Sequence, residues 1–120
     1  KIATLAYTYT RKAPLYTKPA SNVVIQMCAI ETARQGINFP IATSNIHATF
    51  RKDLVDWGKI CNEILVWDYV IQFQNLVSPF PNFSTMQDNI NFYIANNVSA
   101  VFCQGNREKG VSLPSYVVIC

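Results

Sequence analysis

Apolar residues in this chain fall into blocks of two kinds. Residues 23–30 (Val-Val-Ile-Gln-Met-Cys-Ala-Ile), 64–70 (Ile-Leu-Val-Trp-Asp-Tyr-Val) and 98–103 (Val-Ser-Ala-Val-Phe-Cys) are short and nearly continuous. Such runs mark strands covered on both faces, as in parallel sheets. Residues 2–9, rich in β-branched and aromatic side chains, read as a further strand. Between them the spacing changes to that of a helix. Phe50, Leu54, Trp57 and Cys61 form one stripe, which predicts a helix over ~49–61 with Arg51, Lys52, Asp53, Asp56 and Lys59 mostly turned outward. Met86, Ile90, Tyr93 and Ile94 form a second stripe, capped by Ser84 or Thr85 and ended by Asn96-Asn97.

The intervening segments read as loops. Arg11 to Asn22 carries Pro14 and Pro19, and Thr32 to Thr49 carries Gly36 and Pro40. Residues 78–83 (Ser-Pro-Phe-Pro-Asn-Phe) are stiffened by two prolines. Gly105 to Gly110 is polar, and residues 114–120 fit a helix or a strand equally well. Strands alternating with amphipathic helices predict an α/β fold of parallel βαβ units. A complete (β/α)8 barrel takes ~250 residues. With 120 residues the expectation is a partial, half TIM-like barrel, completed by another copy or by a further chain segment, or else an open sheet. Residues 1–120 are expected to form a single domain or a fragment of such a barrel; the start without Met is what a processed or excised fragment would show.

Composition narrows the function classes. Only 14% of residues are charged, against roughly 25% in ordinary soluble domains, so much of the surface is expected to be buried or to meet another surface. The net charge of +3 is scattered over Arg11-Lys12, Arg51-Lys52 and Arg107-Glu108-Lys109. No basic stripe interleaved with aromatics is present, which argues against nucleic-acid binding. No apolar run reaches the ~18 residues of a membrane helix, and no signal peptide is visible. Cysteines 28, 61, 103 and 120 form no Cys-x-x-Cys pair, and His47 is the sole histidine, so no metal site is expected. An even count permits two disulfides in three connectivities, but Cys28, Cys61 and Cys103 lie among apolar residues and read as buried thiols. The triplets Asn82-Phe83-Ser84 and Asn97-Val98-Ser99 are glycosylation sequons, relevant only in a protein secreted by a eukaryote.

Parallel α/β sheets bind ligands beyond the carboxyl ends of their strands. The residues expected there are Tyr9, Arg11, Lys12, Glu31, Asp68, Tyr69, Cys103, Gln104 and Asn106. Together they suit a sugar site. Aromatic rings stack on pyranose faces, the amides of Gln104 and Asn106 pair with hydroxyls, and Glu31 and Asp68 divide general-acid and general-base work. Each acid equally fits a structural ion pair with Arg11, Lys12 or Arg34. Cys103 as a nucleophile would need an adjacent His or a helix N-terminus, and His47 reads as a solvated loop residue.

Seven motifs in this order carry a family resemblance: Tyr7-Thr8-Tyr9-Thr10-Arg11-Lys12-Ala13-Pro14, Cys28-Ala29-Ile30-Glu31, Trp57-Gly58-Lys59-Ile60-Cys61, Val66-Trp67-Asp68-Tyr69-Val70, Pro79-Phe80-Pro81-Asn82-Phe83, Asn89-Ile90-Asn91-Phe92-Tyr93 and Val101-Phe102-Cys103-Gln104-Gly105-Asn106. The series resembles the domain of unknown function 4838, found in mostly bacterial, often secreted proteins linked to polysaccharide breakdown and similar to (β/α)8 glycoside hydrolases. The resemblance implies a barrel with catalytic acids at Glu31 and Asp68 and sugar contacts at Tyr9, Arg11, Lys12, Tyr69, Cys103, Gln104 and Asn106. It further implies a carbohydrate partner, no cofactor and a secreted location. The last motif in that family usually reads Phe-Glu-Gln-Gly-Asn-Tyr; here Cys103 and Arg107 stand in place of the glutamate and the tyrosine. General acid–base help is worth about 10²–10⁴-fold in rate, so the substitution at 103 points away from hydrolysis. The alternative reading is a non-catalytic, glycan-associated structural protein that self-assembles through the strand edges a half barrel leaves open.

Overall fold

A computed structural model describes residues 1–35, 38–75 and 78–105, with backbone alone for 33–35, 107–108, 111–112 and 116–119. Its centre is a sheet of five strands in the order β1 (Ile2–Ala6), β2 (Val23–Cys28), β3 (Ile64–Tyr69), β4 (Val98–Gln104) and β7 (Tyr116–Ile119). The first four are parallel and lie side by side in chain order. β7 adds to β4 antiparallel, which settles the ambiguous C-terminal segment as a strand. A two-residue ladder of β5 (Arg107–Glu108) and β6 (Val111–Ser112) replaces the polar loop expected at 105–110. Strands that neighbour one another in sequence order are how a barrel winds; the sheet here stays open, the arrangement of a partial barrel.

The crossovers differ in kind. β2 leads through α1 (Ile30–Gln35) and α2 (Ala48–Gly58) to β3, and β3 through α3 (Phe83–Ile94) to β4. The β1–β2 crossover carries only the 3₁₀ turn Thr8–Thr10. Two boundaries correct the sequence reading. The segment from Thr32 to Thr49 is not wholly irregular, because α1 ends within it and a 3₁₀ turn at Asn45–His47 leads into α2. α3 starts two or three residues earlier than expected, with Asn82 rather than Ser84 or Thr85 at its cap position.

Alternation along the strands sends two sets of side chains to opposite faces. Ile25, Met27, Ile64, Val66 and Val101 pack with Phe50, Leu54 and Trp57 of α2 and Tyr93 of α3 into the main core. The other face carries a smaller cluster of Cys28, Tyr69 and Ile71, bordered by Tyr7, Ile30 and Trp67. α3 keeps half of its expected stripe: Tyr93 is buried and Ile90 packs on the core, but Met86 and Ile94 are exposed and Thr85 is buried instead. The helix is rotated so that Tyr93 points at the carboxyl end of β3, where its hydroxyl has a polar partner.

Close approach fixes the bottom of the helix layer. A Cβ on Gly58 would lie 3.1 Å from the Asn96 carbonyl. Asn97 takes a left-handed φ of 62° and its amide donates to the Gly58 carbonyl at 2.9 Å, so the expected Asn96-Asn97 turn also ties α2 to the start of β4.

Candidate functional site

The carboxyl ends of β1–β3 gather most of the predicted site residues, but into three environments. The first is built on Arg11, which leaves β1 through the Thr8–Thr10 turn. Its guanidinium is buried and pairs with Glu31 at the start of α1 and, through Nε at 2.9 Å, with Asp53 of α2. The guanidinium carbon lies 5.8 Å from the centre of the Phe50 ring, and the Trp57 indole N–H donates to the Arg11 carbonyl at 2.6 Å. Arg11 therefore locks the first crossover onto two helices. Beside it is a cleft of about 190 Å³ lined by Arg11, Glu31, Thr32, Ile46, His47 and Phe50.

Two expectations are corrected here. Asp53 does not turn outward; only 8% of it is exposed. His47 is not solvated; 2% of it is exposed and it lines the cleft. The signal for both was present in the sequence. Positions 47, 50, 53, 54 and 57 follow helical spacing, and their polar character alone pointed the reading outward.

The second environment holds Asp68. Register places it opposite Cys103, on the helix-facing side of the sheet. Its carboxylate accepts the Tyr69 backbone N–H at 2.8 Å and the Tyr93 hydroxyl at 3.4 Å. Enclosure raises the Asp68 pKa against the opposing pull of those two hydrogen bonds. Burial beside Asp68 also pushes the Cys103 thiol up to about 11 and Tyr93 well above its ordinary value. A thiol so poised is protonated at neutral pH and makes a poor nucleophile.

The third environment is the opposite face of the sheet. Trp67 and Tyr69 lie nearly parallel, 20° apart with ring centres at 6.1 Å, and Phe102 meets Trp67 edge-on at 5.1 Å. The Trp67 indole N–H donates to the Gln104 side-chain carbonyl at 3.0 Å, fixing which end of that amide faces outward. Burial raises the Tyr69 pKa, with the Cys28 thiol, the Tyr7 hydroxyl and the Glu31 carboxylate adding to the effect. Burial likewise raises the pKa of Cys28.

The structure thus brings Arg11, Glu31, Tyr69 and Gln104 to one end of the sheet. Glu31 takes the ion pair that the sequence offered as its alternative role. Asp68 turns to the helix side, away from the Trp67–Tyr69 face. Tyr9 is 93% exposed in its turn and Lys12 is exposed beyond it, and no contact ties either to this group. Asn106 lies outside the described residues. Cys28, Cys61 and Cys103 are free thiols. Among the described residues no cluster of three or more His, Cys, Asp or Glu side chains is placed to hold a metal ion, and no helix is long and apolar enough to cross a membrane.

No curated protein and no solved structure matches this chain. Residues 1–118 match the model of a protein family described as a domain of unknown function, DUF4838. That match takes in β1 to β4, the Arg11 crossover and both acids, and the chain belongs to the DUF4838 family.

Proposed function

We propose that this chain is a carbohydrate-binding segment of a glycoside-hydrolase-like half barrel, and that it holds its glycan without hydrolysing it. The observation that carries the reading is the face of the sheet opposite α2 and α3. Half-buried Trp67 and Phe102 form an aromatic surface there over buried Tyr69, with the Gln104 amide oriented by Trp67 and the Arg11–Glu31 pair at the same end of the sheet. Flat apolar rings flanked by a fixed amide and a charged pair suit a pyranose, which offers one apolar face and a rim of hydroxyls.

The two acids support binding over cleavage. Both classes of glycosidase need their two carboxyl groups to flank one bond. Glu31 is engaged by Arg11, and Asp68 faces Tyr93 and Cys103 on the other side of the sheet. Where the family pattern has glutamate, Cys103 is a protonated thiol. A secreted location and an extracellular polysaccharide partner belong to the same proposal.

Binding is tested by affinity electrophoresis of the chain through gels loaded with plant and bacterial polysaccharides. Retardation by at least one polysaccharide, lost in Trp67→Ala and weakened in Gln104→Ala, is the expected result. Free migration through every gel would sink the carbohydrate reading. Turnover of aryl glycosides by the parent chain would sink the non-hydrolytic part, and Cys103→Glu, which restores the family residue, is the control for that assay.

A further inference from the structure

The cleft beside Arg11 shares no lining residue with the aromatic surface of β3 and β4. Its depth is graded. Arg11, Thr32, His47 and Phe50 are buried and form the floor, Glu31 is half-buried, and Ile46 and Thr49 are exposed at the lip. At about 190 Å³ it is smaller than the ~300–1,000 Å³ pockets that take drug-sized ligands, with room for one sugar ring and not for two.

The polar groups of the lining are mostly acceptors. The Thr32 hydroxyl donates to the Ala29 carbonyl at 2.7 Å, so toward the cleft its oxygen can only accept. The Glu31 carboxylate accepts as well. Such a lining asks for a ligand that brings hydroxyl donors, and a hydroxyl bonded to a carboxylate makes a strong, charge-assisted contact.

Charge narrows the ligand further. Arg11 is the one permanent cation among the described residues that line the cleft. It is already engaged twice, through Nε with Asp53 at 2.9 Å and through Nη1 with Glu31. Two carboxylates around one guanidinium leave one negative charge in excess. A ligand carboxylate entering here becomes a third anion beside a single cation, desolvated and unpaired, which is costly.

We propose that this cleft is a second sugar subsite, which takes one neutral pyranose unit and turns away uronic acids. The proposal rests on the carbohydrate reading and names the sugar class for it. Glu31 accepts the hydroxyls of the unit, Ile46 meets its apolar edge, and Arg11 acts as a positioning residue that holds the Glu31 carboxylate in place. Selectivity comes from an unpaired charge built against the wrong ligand.

The test is the amide magnetic-resonance spectrum of the isotope-labelled full chain. It is titrated at one ionic strength with the methyl glycosides of glucose, galactose, mannose and xylose, and with methyl glucuronide. At least one neutral glycoside is expected to shift the Thr32, His47, Thr49 and Phe50 signals, with a Kd on the order of 1–10 mM. Methyl glucuronide is expected to bind at least about tenfold more weakly. Glu31→Gln removes the excess charge and moves that ratio toward parity. Thr49→Trp fills the lip and abolishes the shifts, while retardation through Trp67 remains. Cleft signals that stay still with every neutral glycoside overturn the proposal, as does glucuronide bound as tightly as the best neutral sugar; both are read on the parent chain, whether or not the variants fold. Shifts that survive a folded Thr49→Trp also overturn it. Silent cleft signals in a chain that polysaccharide gels retard sink this proposal alone, and silent signals with free migration in every gel sink the carbohydrate reading with it.

Discussion

At the scale of single residues, the informative group is Asp68. The folded protein favours its neutral form, because enclosure outweighs the hydrogen bonds from Tyr69 and Tyr93. A carboxyl whose pKa rises on folding stabilises most below its unfolded value of about 4, and that contribution is lost as pH climbs through the folded pKa. Asp68→Asn keeps the acceptor for the Tyr69 N–H and never ionises. The variant is therefore expected to gain thermal stability relative to the parent as pH rises from 4 to 8, with the two melting temperatures converging at the acid end. A difference that does not change with pH would contradict this account. The thiols give a second test at this scale. Cys28 and Cys61 are buried with raised pKa values, and Cys103 is held up to about 11. At pH 8, iodoacetamide is expected to label these three positions at least about tenfold more slowly than in the urea-unfolded chain, as read by peptide mass mapping.

At the scale of elements, Arg11 does for the first crossover what an apolar helix face does for the others. Arg11→Ala would leave Asp53 buried without its partner and free the Trp57 indole contact to drift, a loss of about 3 kcal/mol in urea unfolding; Arg11→Lys cannot hold two acids in one plane and should recover only part of it. Asn97→Val, which forces a β-branched residue into a left-handed φ and deletes the bond to Gly58, is expected to cost about 1–3 kcal/mol, and Asn97→Gly less. Strands β1 to β4, both long helices and the Asn97 turn were legible in the sequence because each rests on a local pattern: uninterrupted apolar runs, a 3–4 spacing, an asparagine pair. α1 was not legible, since six residues that begin Ile30-Glu31-Thr32 span less than two turns, too short for an apolar stripe to repeat. The face of α3 was misjudged because Met86 and Ile94 weigh more on a hydropathy count than Thr85, whose hydroxyl instead satisfies the Asn82 carbonyl at 3.1 Å.

At the scale of the whole molecule, the sheet has two unlike surfaces, and the candidate site belongs to the one opposite α2 and α3. Strand-end chemistry was visible in the sequence as a list of residues. Its division was not, because which side of a strand a residue takes depends on a register that only the neighbouring strands define. Trp67, Asp68 and Tyr69 are adjacent in the chain, yet Asp68 joins the helix layer and its two aromatic neighbours the open face. That division leads to a prediction about binding: Trp67→Ala and Asp68→Asn should behave oppositely. The first is expected to weaken glycan binding at least tenfold with little change in fold, the second to leave binding within about twofold, both read by calorimetry on whichever polysaccharide retards the parent chain.

The helix-free β1–β2 crossover has a consequence for how the protein comes apart. β1 gives the core one residue, Ala6, and is held otherwise by its ladder to β2 and by the Arg11 strut that follows it. Stability is uneven within a fold, and this strand should be its first piece to open. Its amides would exchange with solvent before those of β2, β3 and β4. Exposed Lys12 then offers trypsin a cut that leaves the first strand as a detachable peptide. Such a peptide, added back to the nicked protein, should compete for its own slot, which would make the first strand an exchangeable part.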